Sequence, residues 1–421
     1  MTSPHFPAQY PPMGFTQFIR NNAHWLIAGA LLTTGSSFGQ TYFISVFAGE
    51  IMKTFDLTHG QWGGIYSLGT TASAIVVMWA GTLSDRFRAK TLGSVVFLLL
   101  AMACLFLANV RVAWLLPLAI FGLRFAGQGM LSHISVVAMS RWYSANRGKA
   151  LAISALGFSV GEAVLPLLFV SLLAVIDWRF LWIAAAGIAL LLIPVLRTLL
   201  RRERTPKSIA DASEATGMLG RHWTRRQAVS HWLFWIMLPA FTAPGIFSTS
   251  FFFQQVHLTQ SKGWDHVAFV AMFPLYTVVT ILSMLAYGLA IDRWGSARLL
   301  PLYQIPMAAA YLVFSFGNTM TMAAVGFILM GLMHGGMATL ANAFWPEYYG
   351  TRYLGSIKAL AAALMVFGSA LGPGVTGALI DLGMPFHKQM LYFAVYILLA
   401  CGLAYFAMRR VSRADTVTAD V

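Results

Sequence analysis

Twelve stretches of this chain are apolar over about twenty residues each, long enough to cross a hydrocarbon core as helices, and nothing else in the sequence constrains its fold as tightly. They fall at about 24–47, 62–80, 92–110, 113–136, 150–172, 180–196, 231–253, 267–290, 299–317, 320–342, 357–380 and 389–408. Only 10% of the 421 residues are charged, against about 25% in soluble domains. The sequence therefore predicts an all-α membrane protein. The first run is too long for a signal peptide and is expected to remain as a helix.

The runs are arranged twice. Gly81-x-x-x-Asp85-Arg86-Phe87 returns 207 residues later as Gly288-x-x-x-Asp292-Arg293-Trp294. At the same offset Gly129-Met130 meets Gly336-Met337, Gly148 meets Gly355, Gly161 meets Gly368 and Pro166 meets Pro373. One constant register implies two similar halves with a natural site between them. Each half has an even number of crossings, so both start from the same side and the repeats are parallel. The expected organisation is a tail over residues 1–23, poorly ordered, and a six-helix bundle over 24–197. A charged linker over 198–230, a second six-helix bundle over 231–410 and a tail over 411–421 follow.

A net charge of +14 raises the idea of nucleic-acid binding, and the placement of the charges rejects it. With the N-terminus inside, 22 of the 28 Lys and Arg lie on the cytoplasmic side. Lys53, Arg111, Arg179, Lys262 and Lys388 lie outside, and Arg124 lies within a helix. That asymmetry places both termini in the cytoplasm. Anionic lipid is a secondary contact for the same residues. Cys104 and Cys401 sit in apolar runs and read as packing residues. Glycines four apart (Gly157 and Gly161, Gly331 and Gly335, Gly368 and Gly372) read as close helix contacts.

The loop Gly81-Thr-Leu-Ser-Asp85-Arg86-Phe-Arg88-Ala-Lys90 resembles the signature between helices two and three of the major facilitator superfamily. Arg124-x-x-Gly127-Gln128-Gly129 is similar to a second motif of that family. Arg141-Trp142 and Arg147-Gly148-Lys149-Ala150 fit its loop before helix five. The resemblance runs from about residue 20 to 410 and is closest to bacterial-type, monocarboxylate-transporter-like members. It implies twelve helices in two parallel six-helix repeats, alternating access, and a cavity lined by helices one, four, seven and ten. It also implies a bacterial inner membrane, and a cytoplasmic latch that assigns gating to Gly81, Asp85, Arg86, Asp292 and Arg293. By analogy Asp85 faces the start of helix eleven near Ser356. The fourth helix ends Val136-Val137-Ala138-Met139-Ser140-Arg141 and supplies no acid for the loop arginines. In helix five, Glu162 replaces the Pro of the Gly-Pro motif that marks drug antiporters, which argues against multidrug antiport.

Arg124 and Glu162 are the charged residues placed near the middle of a crossing. Each lies some 20 Å from the cytoplasmic surface at about 1.5 Å per residue. On consecutive antiparallel helices an ion pair is geometrically open to them. Unpaired, each costs about 2.5–3.5 kcal/mol on insertion scales, so such residues are kept for pairing or for pathways. One reading has Arg124 attract an anionic substrate while Glu162 takes up a proton and competes for the same guanidinium. The other is a permanent structural pair. His334 is the repeat counterpart of Gly127, one turn from Arg124, and either packs as a neutral ring or titrates. Gln40, Gln128, Tyr276 and Thr242 complete the expected substrate-binding set. Thr242 flanks an expected break at Pro244-Gly245.

No ATP-binding phrase, metal-ligand spacing or nucleophile elbow is present, so no cofactor, metal or enzyme activity is expected. The sequence points to a secondary active transporter, favoured as a monomer, in proton symport with a small organic anion such as a monocarboxylate. Drug or metabolite efflux and neutral-solute uptake are the rivals on the same fold. A non-transporting sensor or scaffold is the rival of another class.

Overall fold

A computed structural model describes residues 15–143, 147–202, 217–350 and 352–419. No strand occurs among the described residues. Ten helices among the described residues are long and apolar enough to cross a bilayer. They are His59–Ala80, Ala89–Asn109, Ala113–Trp142, Gly148–Leu173, Trp178–Leu199, Trp232–Phe253, His266–Ile291, Met320–Tyr349, Ala363–Asp381 and Phe386–Val411. The first and ninth runs complete two sets of six, consistent with twelve spans. The first begins as Phe15–Ser36 and continues in short pieces to Ala48–Phe55. The ninth holds a helix of only 12 residues, Ile305–Phe316. Helix starts at Phe15, inside the expected tail, because Phe18 is buried against the Tyr143 ring. Residues 1–14 lie outside the described residues.

The first crossing loses its helix in the middle. Gln40 is extended (φ −86°, ψ 152°) between the turn Ser37–Gly39 and the turn Thr41–Ile44. The fourth crossing answers with a π-helical stretch, Arg124–Leu131, flanked by α-helix on both sides. Single π turns concentrate at functional sites. The two irregular stretches touch backbone to backbone. A Cβ on Gly39 would stand 2.1 Å from the Leu123 carbonyl oxygen, and one on Gly127 would stand 2.6 Å from Gly39 Cα. The fifth crossing closes on the other flank, where Gly161 faces the Ser37 hydroxyl. In the second half, Gly368 and Gly372 press on Ile246 and Ser250 of the seventh crossing in the same manner.

The seventh crossing departs from expectation. Trp232–Phe253 is continuous through Pro239 and Pro244, with no break at Pro244-Gly245. Pro244 cannot donate to the Ala240 carbonyl. Gln304 of the ninth segment donates to that oxygen instead, at 2.5 Å, so the helix holds.

The second crossing packs along the eleventh, and the fifth packs against the eighth, joining the halves. Hydrogen bonds tie the halves on the face opposite the termini. Gly60 N–H donates to Asp381 Oδ2 at 2.8 Å, and Gln255 Nε2 donates to Ser45 Oγ at 2.6 Å. Trp62 stacks on Phe253 there, with ring centroids 5.9 Å apart. On the terminal face, Arg141 donates to the Ser84 carbonyl at 2.9 Å, and Ser296 donates to Glu347.

Candidate functional site

The polar groups of the centre collect around the interrupted first crossing. Five hydroxyl residues between Thr33 and Thr41 weaken helix there and offer side-chain bonds in its place. Thr33 donates to the Ser154 carbonyl at 2.6 Å and Thr34 to the Gly157 carbonyl at 2.9 Å, which fixes this crossing against the fifth.

Arg124 opens the π stretch and is 3% exposed. Its Nη1 donates to the Gly39 carbonyl at 3.1 Å and to Thr41 Oγ1 at 3.3 Å. Its guanidinium carbon lies 5.4 Å from the Tyr66 ring centroid, and the Tyr66 hydroxyl shares a 2.7 Å bond with Thr41. Tyr66 thus serves twice, as a π face for the cation and as an anchor for its hydroxyl neighbour. The Arg124 Nε–H is buried without an acceptor, and no carboxylate among the described residues pairs with this side chain.

Glu162 is 7% exposed and makes no hydrogen bond or ion pair among the described residues. Its carboxyl lies within Coulombic reach of the Tyr42 and Tyr276 hydroxyls. Tyr42 donates to Ser37 Oγ at 2.9 Å. The Tyr276 ring meets His334 edge-on at 5.4 Å. His334 Nδ1 lies 3.0 Å from the Met330 carbonyl, which makes it the protonated nitrogen. Its Nε2 then accepts from Ser248 at 3.1 Å. A row of polar groups thereby runs from the fifth crossing across the first to the eighth, tenth and seventh.

The ion pair that the sequence leaves open to Arg124 and Glu162 is not formed. The first crossing accounts for this. Arg124 is held by its Gly39 and Thr41, while Glu162 looks toward its Tyr42 and the eighth crossing. His334 joins the Glu162 row and has no contact with Arg124 among the described interactions. Gln40 is 8% exposed and its side-chain amide has no hydrogen-bond partner among the described residues. Gln128 is half-buried within the π stretch. Thr242 stays outside the cluster, with its hydroxyl donating to the Leu238 carbonyl at 2.9 Å. Thr41, Tyr66 and Ser248 belong to the site although sequence reasoning missed them. The hydroxyl-rich run through Thr41 was the available signal for the first, and no sequence signal marked the other two.

Of the gating set, Gly81 offers its carbonyl to His133 Nε2 at 3.1 Å. Arg86 is exposed, and Arg293 lies over the Trp294 ring at 5.6 Å. The side chains of Asp85, Asp292 and Ser356 lie outside the described residues.

Two joined helical halves close around a buried polar centre. The sequence matches the Major Facilitator Superfamily over residues 29–373 and again over 255–419, and the chain belongs to that family. It is 23% identical to the uncharacterized MFS-type transporter YhjX of Escherichia coli K12 over 342 residues, 78% of this chain and 82% of that one. It is 26% identical to an uncharacterized 38 kDa protein in a 23S RNA operon of Thermoproteus tenax, over 83% of this chain and 86% of that one. The fold is similar to a bacterial homolog of the human lysosomal transporter Spinster, solved inward-facing and unoccupied. The TM-score is 0.69 at 17% identity, covering 93% of this chain and 98% of that one. It is also similar to the nucleoside transporter NupG, with a TM-score of 0.68 at 15% identity, covering 92% and 98%. Family and fold make the protein a multi-pass transporter and not an enzyme.

Proposed function

We propose that this transporter moves a small organic anion, such as a monocarboxylate, together with protons. The observation that carries the reading is Arg124, a guanidinium buried near the centre with no acid partner among the described residues and an unused Nε–H. An unpaired buried cation is costly in a membrane and is retained where an anion visits it. A carboxylate offers the planar, two-oxygen acceptor that a guanidinium fork fits. Glu162 is the proton carrier in this scheme. The first crossing separates it from Arg124, so the two communicate through the Ser37–Tyr42 stretch and not by direct competition. Gln40 and Gln128 supply neutral donors and acceptors on the Arg124 side of the path, Tyr276 and His334 supply them on the Glu162 side, and Thr242 shapes the wall behind. Gly81, Asp85, Arg86, Asp292 and Arg293 act at the cytoplasmic gate. The placement of the basic residues supports cytoplasmic termini, and a bacterial inner membrane and a monomeric state are part of the same proposal.

A second reading, uptake of a neutral solute, draws on the same geometry. Arg124 already has Gly39, Thr41 and Tyr66 as partners, and the Tyr42–Tyr276–His334–Ser248 row suits a polyhydroxylated or heterocyclic solute. Uptake of radiolabelled carboxylates and neutral solutes into proteoliposomes, with and without an imposed pH gradient, separates the two. Proton-driven accumulation of a carboxylate, lost in Arg124→Gln and Glu162→Gln, is the expected result. Proton-driven carboxylate uptake that is unchanged from the intact protein in both variants overturns the anion reading.

A further inference from the structure

The face opposite the termini carries histidines that the transport scheme does not use. His59 begins the second crossing and belongs to the first half. His257 lies in the helix Gln255–Lys262, which extends the seventh crossing beyond the membrane span and belongs to the second half. Their rings meet edge to face across the junction, with centroids 4.6 Å apart. The contact lies beside the links that hold the halves together on this face. Gly60, next to His59, donates to Asp381, and Gln255, two residues from His257, donates to Ser45.

The surroundings of His257 are tuned against charge. Its Nε2 is buried without a hydrogen-bond partner. His387, at the start of the twelfth crossing, adds a third imidazole in electrostatic range, and its Nδ1 is also buried and unpartnered. The charged groups of the neighbouring elements are Lys262 and Lys388, which act on His387, and Asp381, which acts on His59. Asp265 and His266 open the eighth crossing, and Glu50, Lys53 and the capping residue Asp56 close the first. The groups that bear on His257 are His59 and His387, both of its own sign once protonated. The carboxylate of the cluster is engaged with the Gly60 amide and reaches His59, not His257.

We propose that His59 and His257 form a proton-binding site across the seal between the halves, so that acid on this face releases the seal and favours opening there. A proton on His257 Nε2 has no hydrogen-bond partner in place in the closed junction, and the ring faces a second imidazole at contact distance. Separation of the halves gives both rings to water. Burial, followed by the fields of His59 and His387, pushes the His257 imidazole down to about 4 in the sealed form. An exposed imidazole titrates near 6.5. The open form therefore binds more protons between these values. The seal is at full strength above about pH 6.5 and weakens as the pH falls toward about 4. This inference rests on the alternating access of the family and holds whichever solute the centre takes.

The test measures distance and not flux, so it stands or falls separately from the anion reading. Spin labels are placed at Val175→Cys and Leu382→Cys, on exposed loops of the two halves at this face. The native Cys104 and Cys401, both buried, are replaced by Ala. The full chain is studied in nanodiscs by double electron–electron resonance. The expected result is a long-distance population that grows at least about fivefold from about pH 8 to about pH 5. His257→Gln and the double variant His59→Gln/His257→Gln should lose that growth, and His257→Phe, which keeps a ring at the contact, should stay sealed at acid pH. Asp381→Asn should keep the response. A population that ignores pH in the chain with its histidines intact overturns the proposal. So does a response that survives in the double variant or vanishes with Asp381→Asn alone.

Discussion

The Arg124 guanidinium donates to the Gly39 carbonyl, 3.1 Å away, at the point where the first crossing ceases to be a helix. The interruption supplies the acceptor, and the π turn of the fourth crossing supplies the donor. Each irregularity satisfies what the other leaves open, as backbone at membrane depth requires.

Arg124→Gln should therefore weaken both binding and stability. The loss of the donor leaves the buried Gly39 carbonyl without its partner, at a cost of about 1–3 kcal/mol. The loss of the cation should raise the apparent KM for a carboxylate by at least about tenfold, the effect of one charged hydrogen bond. Thermal unfolding in detergent and initial rates of uptake measure the two effects. Arg124→Lys keeps the charge without the planar fork and should recover only part of either.

Close approach at Gly39 and Gly127 predicts a second effect. Alanine at either position forces the first and fourth crossings apart and should destabilise the protein by about 1–3 kcal/mol or prevent its folding. A methyl group added at Gly187 of the sixth crossing would meet nothing within 4 Å, so Gly187→Ala should be neutral or slightly stabilising. Melting temperatures of the three purified variants check the contrast.

The continuity of the seventh crossing depends on a donor from outside it. Gln304→Leu strips the Ala240 carbonyl of its short bond and leaves it facing Pro244. The expected cost is about 1–3 kcal/mol, with faster amide exchange around residues 240–245. Unchanged exchange there would mean that the helix supports itself.

On the terminal face, His231 Nδ1 accepts from the Leu233 amide and caps the seventh crossing, which requires a neutral ring. Burial and then Arg221 lower its affinity for protons. The cap should contribute above about pH 6.5, the ordinary imidazole value, and be lost as the pH falls below it. His231→Asn, which caps without titrating, should abolish this part of the pH dependence of stability.

Much of the fold was legible because lipid imposes it. Length and apolarity fixed the crossings, and the glycines four apart proved to be the helix contacts they suggested, as Gly161 against Ser37 and Gly372 against Ser250 show. The irregular backbone was harder to read. Pro244 suggested a break that Gln304 prevents from the turn before another helix, a tertiary contact with no local trace. Gln40, with no proline beside it, interrupts a helix because its neighbours are glycines and hydroxyls that bond sideways. Arg124 and Glu162 were found by depth alone. Depth could not reveal that the first crossing stands between them, because their side depends on how three helices pack.

The most direct test of the central claim is substrate counterflow, in which proteoliposomes loaded with unlabelled carboxylate exchange it for labelled carboxylate without any gradient. Exchange requires the binding site but no proton coupling. The account predicts that Arg124→Gln abolishes exchange, while Glu162→Gln exchanges at close to the full rate yet no longer accumulates substrate under a pH gradient. Full exchange by Arg124→Gln would contradict it.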